Sequence, residues 1–179
     1  AQGQPALASQ IAQKCIGQGA RVVVAIGTTM AQACASAAIR DKTPVVFSSV
    51  TDPVGAKLVK NLEKPGANVT GASNATSSLD QLEMFLTFVP NLKKLGVIMN
   101  PGEANSRHLF EQMKKVAESK GITLLQGVAT KTSEVAQAAR SLVGEVDAFF
   151  VDNDNTALAA FSSIVAVSQQ YKIPLFVSD

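Results

Sequence analysis

The chain has little of what most functional classes need. It contains no tryptophan, one tyrosine and one histidine, and 17% of its 179 residues are charged. Scarce aromatic residues argue against a platform that stacks nucleic-acid bases. A net charge of +2 is too small to suggest a nucleic-acid or other acidic polymer as partner. The apolar runs are no longer than a strand, so we predict no membrane-spanning helix. We also expect no nucleic-acid partner.

Metal-binding and catalytic motifs are absent as well. Cys15 and Cys34 do not form a closely spaced metal pair, and His108 offers little as a further ligand. We interpret both cysteines as small core residues and keep a disulfide between them as the alternative. The sequence has no phosphate loop, nucleophile elbow or His-Glu-x-x-His motif. We therefore predict no metal, no cofactor and no catalysis.

What is present is a regular alternation of apolar segments. With 46% hydrophobic residues the chain can bury a core. Strand-length apolar runs alternate with amphipathic helical stretches, which predicts βαβ units with parallel sheets covered by helices on both faces. We expect α/β architecture, as one large domain or two small ones, with the polar stretch Ser73–Ser77 as the best candidate for a linker.

Three local predictions follow from the same patterns. Residues 54–62 are expected to form a short helix after Asp52-Pro53, because proline is favoured at the first helical position. Ser78 and Gln81 fit a capping box that opens a helix. The apolar stripe of residues 156–171 predicts one continuous helix.

Polar residues gather where the predicted strands end. The apolar run Phe149–Val151 is followed by Asp152-Asn153-Asp154-Asn155-Thr156, four acidic or amide side chains where one helix cap would suffice. Ligands of open α/β sheets bind at the carboxyl ends of strands. Ordinary turn and cap chemistry is the alternative interpretation of these residues.

Several segments together resemble a known family. They are Val24–Gln32, Thr43–Ala56, Lys64–Gly71, Asn100–Ser106, Asp154–Thr156 and Ile173–Asp179. The most specific are the Val-Thr-Asp-Pro and Pro-Gly-x-Asn-Val-Thr-Gly motifs. The chain resembles the periplasmic substrate-binding components of ABC transporters, in the tryptophan/tyrosine-type subgroup. The resemblance implies a type I periplasmic binding protein fold with two lobes, residues 1–74 and 75–179, and with ligand in the cleft between them. Compared with the family, the chain looks like an internal fragment that lacks both ends, and open sheet edges would favour self-association.

The resemblance also implies a set of ligand contacts at the strand exits. Thr28 and Thr29 offer hydroxyl groups and helix N–H groups to a carboxylate. Asp154 is expected to pair with a ligand ammonium group, with Asn155 beside it. The complete predicted set is Thr28, Thr29, Ser49, Asn105, Ser106, Asp154, Asn155 and Asp179.

The implied function is binding without chemistry. We expect a small zwitterionic ligand, an amino acid and among these an aromatic one, to shift a hinged open–closed equilibrium so that the closed form docks on an ABC permease. A sensory domain of the same fold and a small α/β enzyme are the alternatives. The chain shows no signal peptide, which fits either a cytoplasmic protein or an exported one whose leader was removed. The resemblance implies the periplasm, or a lipid anchor outside the inner membrane.

Overall fold

The computed structural model describes residues 4–178 and contains two compact units. Unit 1 ends at Thr76 and unit 2 begins at Ser77. The predicted boundary after residue 74 lies two residues earlier. Both units are α/β, and every strand pair in each sheet is parallel. The α/β alternation predicted from the sequence is therefore present in both.

Unit 1 is a three-stranded sheet with strand order β1-β2-β3. The first two strands pair in a simple register, from Val23 opposite Val45 to Ile26 opposite Ser48. The elements are α1 (Pro5–Gly17), β1 (Val23–Ile26), α2 (Thr28–Ala37), β2 (Val45–Val50) and β3 (Val69–Ser73).

Only one face of the unit 1 sheet is covered. Val23 and Ala25 of β1 point into the core, 8% and 1% exposed. The alternate residues Val24 and Ile26 are 64% and 70% exposed. The prediction of a sheet covered on both faces is wrong for this unit. Successive strand residues point to opposite faces, and an apolar run does not tell whether both faces have a partner.

The helix predicted for residues 54–62 is absent. This segment forms turns instead. Asp52 does act as the expected cap, because its Oδ1 accepts the N–H of Gly55 at 2.9 Å. Lys57 then adopts a φ of 60°, in the left-handed region, which interrupts any right-handed helix at that point.

Unit 2 is a four-stranded sheet with strand order β5-β4-β6-β7. Its central strands β4 and β6 are almost entirely buried. The elements are α3 (Ser78–Phe88), β4 (Lys94–Met99), α4 (Ala104–Ser119), β5 (Thr123–Val128), α5 (Val135–Arg140), β6 (Ala148–Val151), α6 (Asn155–Ala159), α7 (Phe161–Tyr171) and β7 (Leu175–Val177).

Helices cover both faces of the unit 2 sheet. Phe150 lies in a core cluster with Phe85 of α3 and Met113 of α4. Its neighbour Phe149 lies in a second cluster with Ile164 of α7 and residues of α5. Both phenylalanine side chains are at most 1% exposed. Unit 2 therefore has the two-faced burial that the sequence pattern predicted.

Two helix predictions in unit 2 need correction. The cap of α3 is Ser77, whose Oγ accepts the N–H of Asp80 at 3.2 Å, and not Ser78. The predicted helix 156–171 is broken at Ala160, where φ is −117° and ψ is 25°, so that α6 and α7 are separate. Across residues 4–178, no helix combines the length and hydropathy needed to cross a bilayer.

Candidate functional site

The first group of predicted site residues lies at the strand exits of unit 1. Strand β1 ends at Ile26, and Gly27 turns the chain with a φ of 85°, which favours glycine. Thr28 and Thr29 open α2 directly after this turn, Thr28 buried and Thr29 half-buried. No described side chain caps α2. The first N–H groups of α2 thus lie beside two hydroxyl groups, an arrangement that suits a carboxylate.

Ser49 lies on the neighbouring strand exit of the same sheet. The N–H of Gly27 donates to the carbonyl of Ser48 at 2.9 Å, which joins the two exits. Ser49 is exposed and has a φ of 54°, at a register irregularity between Phe47 and Val50. A non-glycine residue in this region costs on the order of 1–2 kcal/mol. Such strain is common where a side chain is held for binding.

The second group lies at the exit of β6 in unit 2, and Asp154 is its centre. Its Oδ1 accepts the N–H of Ala157 at 2.7 Å and so caps α6. Its Oδ2 accepts the N–H of Asn100, from the exit of β4, at 2.6 Å. Ser106 of α4 also hydrogen-bonds to Asp154. Asp154 is 1% exposed, so it ties three elements together from a buried position.

The environment of Asp154 opposes its negative charge. Burial, and after it the nearby carboxylate of Glu103, raise the pKa of Asp154 above its ordinary value. The hydrogen bonds from Asn100, Ala157 and Ser106 act in the opposite direction without cancelling these effects. The unit therefore keeps two acidic side chains close together where one would be easier to bury.

Glu103 is the second acidic residue of this cluster, and it is 8% exposed. Its Oε2 accepts the backbone N–H of Asn155 at 3.1 Å and also the side-chain amide of Asn155. Its Oε1 accepts the N–H of Thr156 at 3.0 Å and the Thr156 hydroxyl at 2.9 Å. One carboxylate from the loop before α4 thus holds the first turn of α6 and the Asn155 side chain.

Asn105 and Ser106 lie in the first turn of α4, each 4% exposed. The Asn105 Nδ2 donates to the carbonyl of Asn153, which fixes the orientation of the amide. Its Oδ1 is buried and has no hydrogen-bond partner among the described residues. A buried acceptor of this kind needs a donor, and an ammonium group is one.

The structure thus brings the predicted residues together in two groups. Thr28, Thr29 and Ser49 lie at adjoining strand exits in unit 1. Asn105, Ser106, Asp154 and Asn155 lie around the exits of β4 and β6 in unit 2. Asp179 lies outside the described residues.

Sequence reasoning missed Glu103 and Asn100. Both stand in the segment Asn100–Ser106 that carried the family resemblance. An acidic residue in a strand-exit loop was the available signal. Its partners Asn155 and Thr156 lie more than fifty positions away, however, so the contact is not readable from sequence. Within residues 4–178 no three His, Cys, Asp or Glu side chains are grouped to hold a metal ion.

Two parallel sheets flanked by helices, with polar side chains at the strand exits, are typical of α/β ligand-binding proteins. The chain belongs to a family described as ABC transporter substrate binding protein, whose model matches residues 1–179. Members of this family are substrate-binding proteins, which fits the absence of catalytic motifs from the sequence.

Individual relatives agree with this assignment. A tyrosine-binding protein of Clostridioides difficile is 36% identical over 179 residues, 100% of this chain and 51% of the relative. A conserved domain protein of Vibrio cholerae is 41% identical with a TM-score of 0.95, covering 99% of this chain and 59% of the other. A streptococcal ABC domain solved in complex with L-Trp is 34% identical with a TM-score of 0.94, again covering 99% and 59%.

The chain therefore spans about half the length of its curated relative and 59% of the two solved chains. The family and the fold are established by these matches.

Proposed function

We propose that this chain binds a small zwitterionic amino acid, with aromatic amino acids as the leading candidates, as the substrate-binding component of an ABC importer. The observation that carries the proposal is the similarity, over 99% of the chain, to a protein solved with L-Trp. The tyrosine-binding relative supports the same ligand class. The location we propose is the periplasm, or a lipid-anchored position outside the inner membrane, with a membrane permease as partner.

We assign the ligand carboxylate to the α2 start in unit 1. The N–H groups there carry partial positive charge, and Thr28 and Thr29 add hydroxyl donors. The exposed Ser49 hydroxyl lies at the adjoining exit. These three residues are neutral, so they do not repel the negative charge of a carboxylate.

We assign the ligand ammonium to the acidic cluster of unit 2. Both oxygens of Asp154 are occupied by backbone N–H groups, so its proposed role is to supply negative charge and hold Asn100 and α6 in place. Direct contact falls to the Asn105 Oδ1, which lacks a donor, and to the exposed Asn155. Ser106 supports this group through Asp154. Asp179 remains a predicted contact.

The test is isothermal titration calorimetry of the full chain against the twenty standard amino acids. We expect saturable binding of at least one aromatic amino acid. Binding of a non-aromatic amino acid alone would change the ligand class, and no binding by any member of the panel would overturn the proposal.

Two variants assign the contacts. Thr28→Val removes a hydroxyl with little change of shape, and Asn105→Leu removes the unpartnered acceptor. We expect each to weaken binding about 10- to 100-fold, the range for one hydrogen bond to a charged group. The matched control Thr70→Val changes an exposed threonine in β3 and should bind like the wild type.

The permease partnership needs a separate experiment, since binding alone is shared with sensory domains. We expect ligand-loaded protein to stimulate ATP hydrolysis by the cognate permease complex in proteoliposomes. Binding without any stimulation would favour the sensory alternative.

A further inference from the structure

The two cysteines of unit 1 are not used by the proposed binding function. Cys15 lies in the last turn of α1 and is half-buried, and Cys34 lies in the last turn of α2 and is 1% exposed. Both thiols are free in this structure.

The topology places the two cysteines at the same level. Helix α1 leads into the start of β1, and α2 leads from the end of β1 to the start of the parallel strand β2. Both helices therefore run opposite to the strands and end at the same edge of the sheet. Because each cysteine is within three residues of its helix end, the two lie at a similar level along the two helices.

The surfaces between the helices are made of small residues. Ala8 and Ala12 precede Cys15 at helical spacing on α1. Cys34 is flanked by Ala31 on α2 and by Ala38, the residue that caps the end of α2. These four alanines are at most 1% exposed, and α1 packs along α2. Small side chains permit helix axes to approach to about 8 Å, the lower end of the usual range. A disulfide needs such closeness, with Cα atoms about 4.4–6.8 Å apart.

Electrostatics is consistent with this proximity. Burial raises the pKa of the Cys34 thiol, and the Cys15 thiol is the second cause of the increase. Cys34 is thus a poor first nucleophile, whereas the more accessible Cys15 is the thiol that an external oxidant meets first.

We infer that Cys15 and Cys34 form an oxidisable pair that closes to an intramolecular disulfide between α1 and α2. With oxidised glutathione, the Cys15 thiolate attacks one glutathione sulfur, which forms a mixed disulfide and releases one reduced glutathione. The Cys34 thiol then loses its proton to solvent and attacks the Cys15 sulfur, which releases the second reduced glutathione. Two protein thiols are oxidised by two electrons, and one glutathione disulfide is reduced.

The test is intact-mass spectrometry of the full chain, purified reduced and then incubated with oxidised glutathione, followed by non-reducing peptide mapping. We expect a monomer lighter by two hydrogen atoms, with the peptide of Cys15 linked to the peptide of Cys34. Dithiothreitol should restore the original mass. A stable glutathione adduct on the wild type, a disulfide-linked dimer, or no change would each overturn the inference.

Two variants separate the steps. Cys34→Ser lacks the resolving thiol and should keep one glutathione on Cys15, whereas Cys15→Ser should remain unmodified because Cys34 is buried. A glutathione adduct on Cys15→Ser would contradict the assigned order of attack. If either variant fails to fold, the wild-type peptide map still decides.

Discussion

Unit 1 and unit 2 are built from the same alternation of strands and helices, but they bury their sheets differently. In β6 of unit 2 the neighbours Phe149 and Phe150 enter two separate cores. In β1 of unit 1 only every second residue is buried, and Val24 faces away from the core. An apolar strand sequence therefore predicts that the strand is at least partly buried. Whether one or both faces of the sheet are buried depends on how many helices pack against it.

The largest expected effect tests this difference directly. Phe149→Ala and Phe150→Ala should each lower the free energy of unfolding by about 3–5 kcal/mol, because each leaves a cavity in a packed core. Val24→Ala, the matched change on the bare face of unit 1, should stay within about 0.5 kcal/mol. Urea denaturation measures the free energy of unfolding, and amide hydrogen exchange assigns the loss of stability to unit 1 or unit 2. Equal costs at Val24 and Phe150 would contradict the one-faced description of unit 1.

The next largest effect on stability is expected at Gly71 in unit 1. A Cβ added to Gly71 would meet the Phe47 carbonyl oxygen and lie 2.5 Å from the Phe47 Cγ. We expect Gly71→Ala to destabilise unit 1 by about 3 kcal/mol, the upper end for overpacking. Gly17→Ala at the end of α1 meets nothing within 4 Å and should be neutral or stabilising. Thermal unfolding of the two variants checks the pair, and a neutral Gly71→Ala would mean that β3 moves freely against β2.

The acidic cluster of unit 2 gives a smaller, pH-dependent effect. Asp154→Ala should cost about 2 kcal/mol, because the N–H groups of Asn100 and Ala157 lose their acceptor. The pKa of Asp154 is raised in the folded state, so between its unfolded and folded pKa values the folded state binds the proton more readily. The stability contributed by protonated Asp154 is therefore present at acid pH and lost as the pH rises through the folded pKa.

Urea titrations of the wild type and Asp154→Asn across the acid range measure this dependence. The stability of the wild type relative to the variant should fall as the pH rises, and then become constant. Glu103→Gln should lower the pKa of Asp154, since it removes a neighbouring negative charge. An opposite slope, or an Asp154 pKa unchanged in Glu103→Gln, would contradict the described electrostatics.

The smallest effect concerns the strain at Ser49 in unit 1. Ser49→Gly should stabilise the chain by roughly 0.5–1 kcal/mol, because relief of about 1–2 kcal/mol of left-handed strain at a φ of 54° exceeds the entropy cost of glycine. The same variant should bind the amino-acid ligand more weakly if the hydroxyl contributes to binding. Calorimetry and thermal unfolding on one preparation separate the two effects. A loss of stability would show that the Ser49 side chain has a structural role instead.

Local patterns predicted much of the fold. Parallel sheets were expected from the alternation of strand-length and helical segments, and both units contain them. The prediction was wrong where one residue decided the outcome. Lys57 adopts a left-handed conformation that ends the helix expected after Asp52, and Ala160 breaks the helix expected from residue 156. Neither lysine nor alanine is a sequence signal for such a break.

The sequence indicated which residue types lie at the strand exits, but not which of them hydrogen-bond to one another. Polar strand exits were expected at Thr28 and Asp154, and polar side chains lie there. The contacts of Glu103 with Asn155 and Thr156 join segments that are distant in sequence, so only the folded chain brings them together.

The near absence of aromatic chromophores has a practical consequence. Tyr171, at the end of α7 and 45% exposed, is the single tyrosine, and there is no tryptophan. Selective excitation of tryptophan would therefore give no fluorescence from the chain itself. A bound tryptophan ligand would be the source of all the fluorescence. Its emission maximum would report the polarity around the indole ring without any added label.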